Sequence, residues 1–170
     1  MMNIKTIIIA LIVLSGLQTK AQPFNHFVID SKTNTNILID YCDIEGLQKD
    51  DYGTYFEKYY NDYKPSKSSL KKLKKKLDNF EITIVLGAWC SDSKREVPRF
   101  IKVLDDAGYD NNRVKIIAVD RNKKANLVDV SELDIQRVPI FIVYEDNKEV
   151  GRIIETPHKS LEKDLWKIIK

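Results

Sequence analysis

The chain has 170 residues, of which 43% are hydrophobic, and this is enough for one domain with a substantial core. It has 28 basic and 25 acidic residues, and a net charge of only +3 argues against a nucleic-acid-binding surface. The two histidines (His26 and His158) and the two cysteines (Cys42 and Cys90) lack the spacing of a metal site. We therefore predict no metal ion, no other cofactor and no nucleic-acid partner.

The first 21 residues have the pattern of a secretory signal peptide. Lys5 supplies a positive charge, Thr6 to Leu17 is almost wholly apolar, and Thr19-Lys20-Ala21 is a small-residue cleavage site. The apolar stretch is shorter than the roughly 20 residues of a membrane-spanning helix, and a retained N-terminal anchor is the alternative. We expect cleavage after Ala21, export to the periplasm, and no stable membrane insertion of the mature chain.

Residues 22–65 are predicted to form an N-terminal extension that packs on the main domain. Two short apolar runs, Phe27–Ile29 and Ile37–Ile39, flank a polar turn and predict two strands. Aromatic residues then recur at helical spacing and define one helix face: Tyr52, Tyr55, Phe56, Tyr59 and Tyr63. We interpret this face as packing on the domain rather than as a base-stacking surface.

A second helix is predicted to open at Pro65-Ser66. Its buried stripe consists of Leu70, Leu73, Leu77 and Phe80. The lysines between Lys71 and Lys76 fall on its other faces. We interpret them as a solvated helix surface rather than as a membrane or nucleic-acid site.

From residue 81 onward strands and helices alternate, and residues 66–170 are predicted to form the main domain. Four apolar runs predict strands: Ile82–Leu86, Val114–Val119, Ile140–Tyr144 and Val150–Ile154. One helix follows Cys90 and ends near Ala107-Gly108, a loop with a short helix covers Asp120–Leu133, and a last helix starts at Thr156-Pro157. This order predicts an α/β fold with a mixed sheet and helices on both faces.

The most distinctive motif is Trp89-Cys90-Ser91-Asp92-Ser93, at the junction of a predicted strand and a predicted helix. Pro98 lies eight residues after Cys90, and Pro139 precedes a later strand. These features resemble the thioredoxin family, whose Trp-Cys-x-x-Cys loop opens a proline-kinked helix and faces a cis-proline. With Lys94–Phe100 added, the stretch is similar to a group of exported bacterial thioredoxin-like proteins with a Trp-Cys-x-Asp-Ser loop.

The resemblance implies a thioredoxin-like fold over about residues 66–170, and it assigns roles to the site residues. Cys90 would be the nucleophile and Pro139 the cis-proline. Trp89, Val138 and Pro139 would line a groove that takes an extended substrate segment. For Trp89, a packing role is an equal alternative.

Three positions depart from the thioredoxin pattern. Ser93 replaces the second cysteine, Ile84 replaces the buried acid of the preceding strand, and Ile116 replaces the lysine partner of that acid. The group that helps a second thiol to attack is therefore missing together with the thiol. These departures indicate a site built for one thiol.

The chemistry expected of this site depends on the Cys90 thiolate, because the thiolate is the attacking form in disulfide exchange. A helix N-terminus favours negative charge there, Lys94 and Arg95 add positive charge, and Asp92 opposes it. Ser93, one turn on, is expected to donate a hydrogen bond to the sulfur. Because Ser93 cannot form a disulfide, another sulfur must open a mixed disulfide at Cys90.

Three groups are candidates for that other sulfur. A second thiol of the substrate would make the protein an isomerase, and an external thiol or partner reductase would make it part of a mixed-disulfide relay. The third candidate is Cys42, although a lone cysteine beside apolar residues is more typical of a buried small hydrophobe.

We therefore predict thiol–disulfide exchange through Cys90 alone, on the thiols and disulfides of exported proteins. The alternative is a non-enzymatic thioredoxin-like module that binds such proteins. A peroxidase is disfavoured, since the chain has no Pro-x-x-x-Thr-x-x-Cys loop.

Overall fold

A six-stranded mixed sheet forms the centre of the molecule, in a computed structural model that describes residues 24–170. Its strands are β1 (His26–Ile29), β2 (Asn36–Cys42), β3 (Glu81–Leu86), β4 (Val114–Ala118), β5 (Ile140–Glu145) and β6 (Lys148–Ile154). They are ordered β1-β2-β4-β3-β5-β6; β3 and β4 are parallel, and all other neighbours are antiparallel. The mixed sheet expected from the sequence is confirmed. The predicted signal peptide lies outside the described residues.

Within residues 24–170, five α-helices accompany the sheet: α1 (Ile44–Leu47), α2 (Asp50–Asp62), α3 (Lys67–Leu73), α4 (Ser91–Ala107) and α5 (Leu161–Ile169). The end of α4 predicted near Ala107-Gly108 is confirmed. Gly108 caps the helix with a left-handed φ of 78°, which favours glycine. Among residues 24–170, no helix has the length and apolar character needed to cross a membrane.

The start of α5 is a correction to the sequence analysis, which placed it at Thr156-Pro157. The helix begins at Leu161, after the N-cap Ser160. The carboxylate of Asp164 accepts hydrogen bonds from the backbone N–H groups of His158 (2.6 Å) and Lys159 (3.4 Å). These residues therefore form a separate turn ahead of the helix.

The main core lies between one face of the sheet and the helices. Side chains of β3 alternate between the two faces, so that Ile84 meets the helices and Val85 meets the opposite side. Phe100 of α4 stacks on Phe141 of β5, with ring centroids 4.3 Å apart, and both side chains are fully buried. Burial on both faces explains why β3 and β5 are nearly continuous apolar runs in the sequence.

The opposite face of the sheet is covered by residues 120–137, which contain a single turn of 3-10 helix at Ser131–Leu133. The expectation of helices on both faces is corrected here, since the α-helices pack on one face and the other has only this turn. In this segment, carboxylate side chains accept backbone N–H groups that would donate to backbone carbonyls in a helix. Asp120 accepts the N–H groups of Asn122 and Lys124. Such local bonds compete with helix formation.

The N-terminal hairpin and α2 are integrated into the domain. Strand β2 pairs with β4 and so extends the sheet. Tyr52 and Phe56 of α2 are buried, as the aromatic spacing predicted, whereas Tyr55 is 40% exposed. Asp40 of β2 also holds the segment 120–137 that covers the opposite face of the sheet, because its Oδ1 atom accepts the N–H groups of residues 126 and 127, both at 2.7 Å.

A buried carboxylate joins the end of the extension to the C-terminal helix. Glu162 of α5 is 3% exposed and accepts hydrogen bonds from Tyr63 Oη (2.8 Å), Ser66 N (3.2 Å) and Ser160 Oγ (2.8 Å). Burial raises the pKa of this carboxyl, but the hydrogen bonds outweigh burial and bring the pKa below its ordinary value. The charged form of Glu162 therefore stabilises the fold.

At neutral pH, Glu162→Gln is expected to lower the free energy of unfolding by about 1–2 kcal/mol, because an amide must turn an N–H group toward one of these donors. The stabilisation by the carboxylate is present above its unfolded pKa of about 4.3 and is lost as the pH falls through the lowered folded pKa. The difference between the two proteins should therefore shrink in acid. Urea unfolding at neutral and acidic pH measures it.

Glu145→Gln is the matched control, because Glu145 is exposed beside the β5–β6 turn. Equal losses of stability in the two variants would contradict the role given to Glu162.

Candidate functional site

Cys90 stands at the junction of strand and helix. It is the N-cap residue of α4, and its backbone N–H donates to Gly87 O at 2.8 Å, which closes the turn after β3. Lys94 N donates to Cys90 O at 3.0 Å and begins the helix. The thiol is free and partly exposed. The sulfur therefore lies at the N-terminus of a 17-residue helix.

The peptide bond between Val138 and Pro139 is cis and lies directly before β5, the neighbour of β3. The Cys90 thiol donates to the Val138 carbonyl oxygen, with Sγ and O 3.4 Å apart. Val138 and Pro139 are both buried. The structure thus brings Cys90, Val138 and Pro139 together at one end of the sheet.

Ser93 braces the turn in front of the thiol. It is fully buried, and its Oγ atom accepts the backbone N–H of Gly87 at 3.2 Å. A hydrogen bond from Ser93 to the Cys90 sulfur was expected from the sequence, and the structure differs. Ser93 lies on the inner side of α4, so its hydroxyl meets the turn, while the polar contact of the sulfur is the Val138 carbonyl.

Tyr52 is a site residue that the sequence analysis missed. Its hydroxyl donates to the Ser93 carbonyl oxygen at 2.9 Å, inside the first turn of α4. Burial raises the pKa of Tyr52, with a further contribution from the nearby cysteines Cys42 and Cys90. Aromatic spacing indicated that Tyr52 is buried, but it carried no information on the partner of the hydroxyl.

Trp89 both packs and faces solvent. Its indole N–H donates to Val119 O at 3.0 Å, and the ring is half-buried. A β-carbon at Gly87 would lie 2.7 Å from Trp89 Cε2, so this close approach requires glycine. The guanidinium carbon of Arg121 lies 5.0 Å from the centre of the Trp89 ring.

Arg121 links Trp89 to the N-terminal hairpin. Its Nε and Nη2 atoms donate to the two carboxylate oxygens of Asp30 at 2.8 and 2.7 Å, which is a bidentate pair. Asp30 is 4% exposed. The hydrogen bonds from Arg121 and Thr33 hold the pKa of Asp30 well below its usual range. The turn between β1 and β2 therefore supports the aromatic residue beside the thiol, which the sequence did not reveal.

The charged residues after Cys90 are largely neutralised by one another. Arg95 donates to Asp92 at 2.5 Å and to Glu96 at 2.6 Å. The ammonium of Lys94 lies 4.4 Å from the centre of the Tyr55 ring. Asp92 and Arg95, which the sequence analysis treated as opposing influences on the thiol, thus form one ion pair.

Cys42 is not brought to the site. It is 2% exposed, and burial raises the pKa of its thiol. It lies on β2 opposite Ile116 of β4, which in turn lies opposite Ile84 of β3. Two strand spacings are about 10 Å. Because the Cys90 thiol faces β5, on the far side of β3, the separation exceeds the reach of about 7 Å between the α-carbons of a disulfide.

Ile84 and Ile116 are adjacent, as register partners on β3 and β4. Both are at most 2% exposed. An apolar pair therefore fills the two positions at which thioredoxins place an acid and a lysine. In the part of the chain from residue 24 onward, no group of three or more His, Cys, Asp or Glu side chains is arranged to hold a metal ion.

Comparison with known proteins assigns the chain to a family. A family model described as thioredoxin matches residues 44–165. None of the curated protein sequences matches the chain. The thioredoxin-like architecture expected from the sequence is confirmed.

Solved structures similar to the chain include thioredoxins. Mitochondrial thioredoxin 3 from Saccharomyces cerevisiae, oxidised, has 19% identity and a TM-score of 0.37, over 59% of this chain and 87% of its own. A reduced Schistosoma mansoni thioredoxin pre-protein has 20% identity and a TM-score of 0.39, over 64% and 95%. A Pseudomonas aeruginosa protein of unknown function has 13% identity and a TM-score of 0.43, and the chain spans 65% of its length.

Tyr52→Phe is expected to lower the free energy of unfolding by about 1 kcal/mol, because it removes the donor to the Ser93 carbonyl. It should also change the rate at which iodoacetamide alkylates Cys90, since the first turn of α4 is held less firmly. Tyr55→Phe is the control, because Tyr55 lies on the same helix and is exposed. Identical alkylation rates in the two variants would remove Tyr52 from the site.

Arg121→Lys is expected to shift the fluorescence of Trp89 to longer wavelength, because a single ammonium replaces the guanidinium fork that pairs with Asp30. The measurement is made with Trp166→Phe as the background, so that Trp89 is the only tryptophan. Arg137→Lys is the control, since Arg137 is exposed and pairs with Glu155. An unchanged spectrum would show that Arg121 does not position Trp89.

Proposed function

Because the chain belongs to the thioredoxin family, we propose that it carries out thiol–disulfide exchange with Cys90 as its single reactive thiol. The fold itself supports a thiol–disulfide redox role in general. One observation supports exchange through a single thiol. The Cys90 sulfur lies 3.4 Å from the carbonyl that precedes a cis-proline, at a helix N-terminus whose next turn contains Ser93 instead of a second cysteine.

In the first step, the Cys90 thiolate attacks one sulfur of a substrate disulfide. The substrate S–S bond breaks, a new S–S bond forms to Cys90, and the other substrate sulfur leaves as a thiolate with the electron pair. The exchange needs no external oxidant or reductant. In the next step Cys90 is itself the leaving group and departs as a thiolate.

The second step needs another sulfur, because Ser93 has none and Cys42 is buried two strands away. When a second thiol of the same substrate attacks the substrate sulfur of the mixed disulfide, a new substrate disulfide forms and Cys90 is released, which is isomerisation. When an external thiol or a partner reductase attacks, the protein acts in a relay. Both routes return Cys90 to its starting state.

Exported proteins are the proposed substrates, and the periplasm is the proposed compartment. The support is the signal-like pattern of residues 1–21 and the need for disulfides in an oxidising environment. A partner reductase is proposed for the relay form alone.

The second candidate function is a non-enzymatic module that binds other exported proteins. One observation favours it, namely that the polar groups at the surface of the site are already paired within the chain. The Cys90 thiol donates to Val138 and the Trp89 indole donates to Val119. Exchange requires Cys90 to give up its contact, whereas binding does not.

An aromatic disulfide reagent in excess is expected to release one equivalent of coloured aryl thiolate and to leave a stable mixed disulfide on Cys90, because no second thiol opens it. Absorbance counts the thiolate, and mass spectrometry locates the adduct. Cys42→Ser should retain this stoichiometry, and Cys90→Ser should abolish it. Release of two equivalents from the wild type, with an internal Cys42–Cys90 disulfide and no aryl adduct by mass spectrometry, would make Cys42 the resolving thiol.

A substrate protein with scrambled disulfides separates the two candidate functions. Exchange predicts that the wild type restores the native disulfides with turnover and that Cys90→Ser does not. The binding module predicts that both proteins bind the substrate and that neither changes its disulfides.

A further inference from the structure

The strongest charge asymmetry of the chain lies in α3 and the residues on either side of it. Residues 64–76 contain seven lysines and no acidic residue, and the rest of the chain then has 21 basic and 25 acidic residues. All seven are exposed. We call them the lysine surface: Lys64, Lys67, Lys71, Lys72, Lys74, Lys75 and Lys76. A charge of +7 on one short segment thus sits on a molecule whose remainder carries −4.

The lysines of the lysine surface form no ion pair within the described part of the chain. Three lysines elsewhere do pair with a carboxylate four residues away, in Lys49–Glu45, Lys58–Asp62 and Lys102–Asp106. No member of the lysine surface pairs with an acidic group anywhere between residues 24 and 170. Crowded like charges repel one another. An anionic partner would remove that repulsion.

The composition of this surface indicates which kind of anion it suits. Residues 64–76 contain no arginine, whose planar fork serves bidentate recognition of single phosphates and bases, whereas lysine is a flexible point charge. Lys72 also places its ammonium 5.9 Å from the centre of the half-buried Trp166 ring of α5. Lysine beside tryptophan is typical of the interface between a lipid bilayer and water.

We propose that the lysine surface docks the protein on an anionic lipid bilayer. The sequence alone favoured a solvated helix face; the absence of ion pairs and the neighbouring tryptophan are what the structure adds. Each lysine near an anionic bilayer contributes about fivefold to the partition coefficient. The inference does not depend on the exchange activity of Cys90.

Docking on this surface leaves the thiol free. The ammonium of Lys74 lies 4.0 Å from the position that a β-carbon at Gly108 would occupy, and Gly108 caps the C-terminal end of α4. Cys90 caps the other end of the same helix, about 25 Å away. A bilayer at the lysine surface is therefore remote from Cys90, which stays open to partners in solution.

The test is sedimentation of the purified protein with vesicles of phosphatidylglycerol and phosphatidylcholine, compared with phosphatidylcholine alone. Binding to the anionic vesicles is expected, with a fall as salt rises. The variant Lys71→Gln/Lys74→Gln/Lys75→Gln/Lys76→Gln should lose binding by roughly a hundredfold or more. Circular dichroism checks that it folds, which its four exposed sites favour.

The matched control removes four exposed lysines elsewhere and has the same net charge: Lys32→Gln/Lys115→Gln/Lys124→Gln/Lys148→Gln. It should bind like the wild type. Equal losses in both variants would make the effect one of net charge and overturn the proposal. So would equal binding to neutral vesicles, or binding to duplex DNA without binding to anionic vesicles.

A second readout tests the orientation. Iodoacetamide should alkylate Cys90 equally fast in the free and the vesicle-bound protein, because the thiol lies at the far end of α4. Slower alkylation on the vesicles would mean that a surface near Cys90 is the one that docks, and would overturn the assignment.

Discussion

The hydrogen bond from the Gly87 N–H to the Ser93 hydroxyl fixes the turn between β3 and α4, and the position of the thiol depends on that turn. With the turn closed, Cys90 becomes the N-cap of α4, and its sulfur meets the carbonyl before the cis-proline. Trp89 is at the same time pressed against the bare backbone of Gly87. A side chain that replaces the second thiol of the family thus acts as an internal support.

Support for this turn also comes from the N-terminal part of the chain. Tyr52 of α2 donates to the backbone of Ser93, and Asp30 holds the arginine that lies over Trp89. Glu162 ties the end of the same segment to α5. The hairpin and α2 therefore contribute to the geometry of the site as well as to the sheet, and the site extends beyond its motif.

The sequence was most informative where the physical cause is local. Apolar runs located β3 and β5, Gly108 marked the end of α4, and the motif around Cys90 led to the thioredoxin fold. It was least informative where a contact joins distant residues. Tyr52 and Ser93 are 41 residues apart, Asp30 and Arg121 are 91 apart, and no periodicity encodes either pair. The irregular structure of residues 120–137 was not predicted for a related reason, because carboxylates such as Asp120 accept backbone N–H groups that would otherwise be bonded in a helix.

The burial of Cys42, two strands from Cys90, bears on how the molecule relates to its surroundings. A chain whose two thiols cannot join has no internal dithiol that could give up two electrons by forming an intramolecular disulfide. Its resting form then does not follow the thiol–disulfide balance of the compartment as a dithiol pair does. Thiol–disulfide exchange in such a chain would leave a mixed disulfide, so the oxidised form would carry the molecule that supplied the second sulfur.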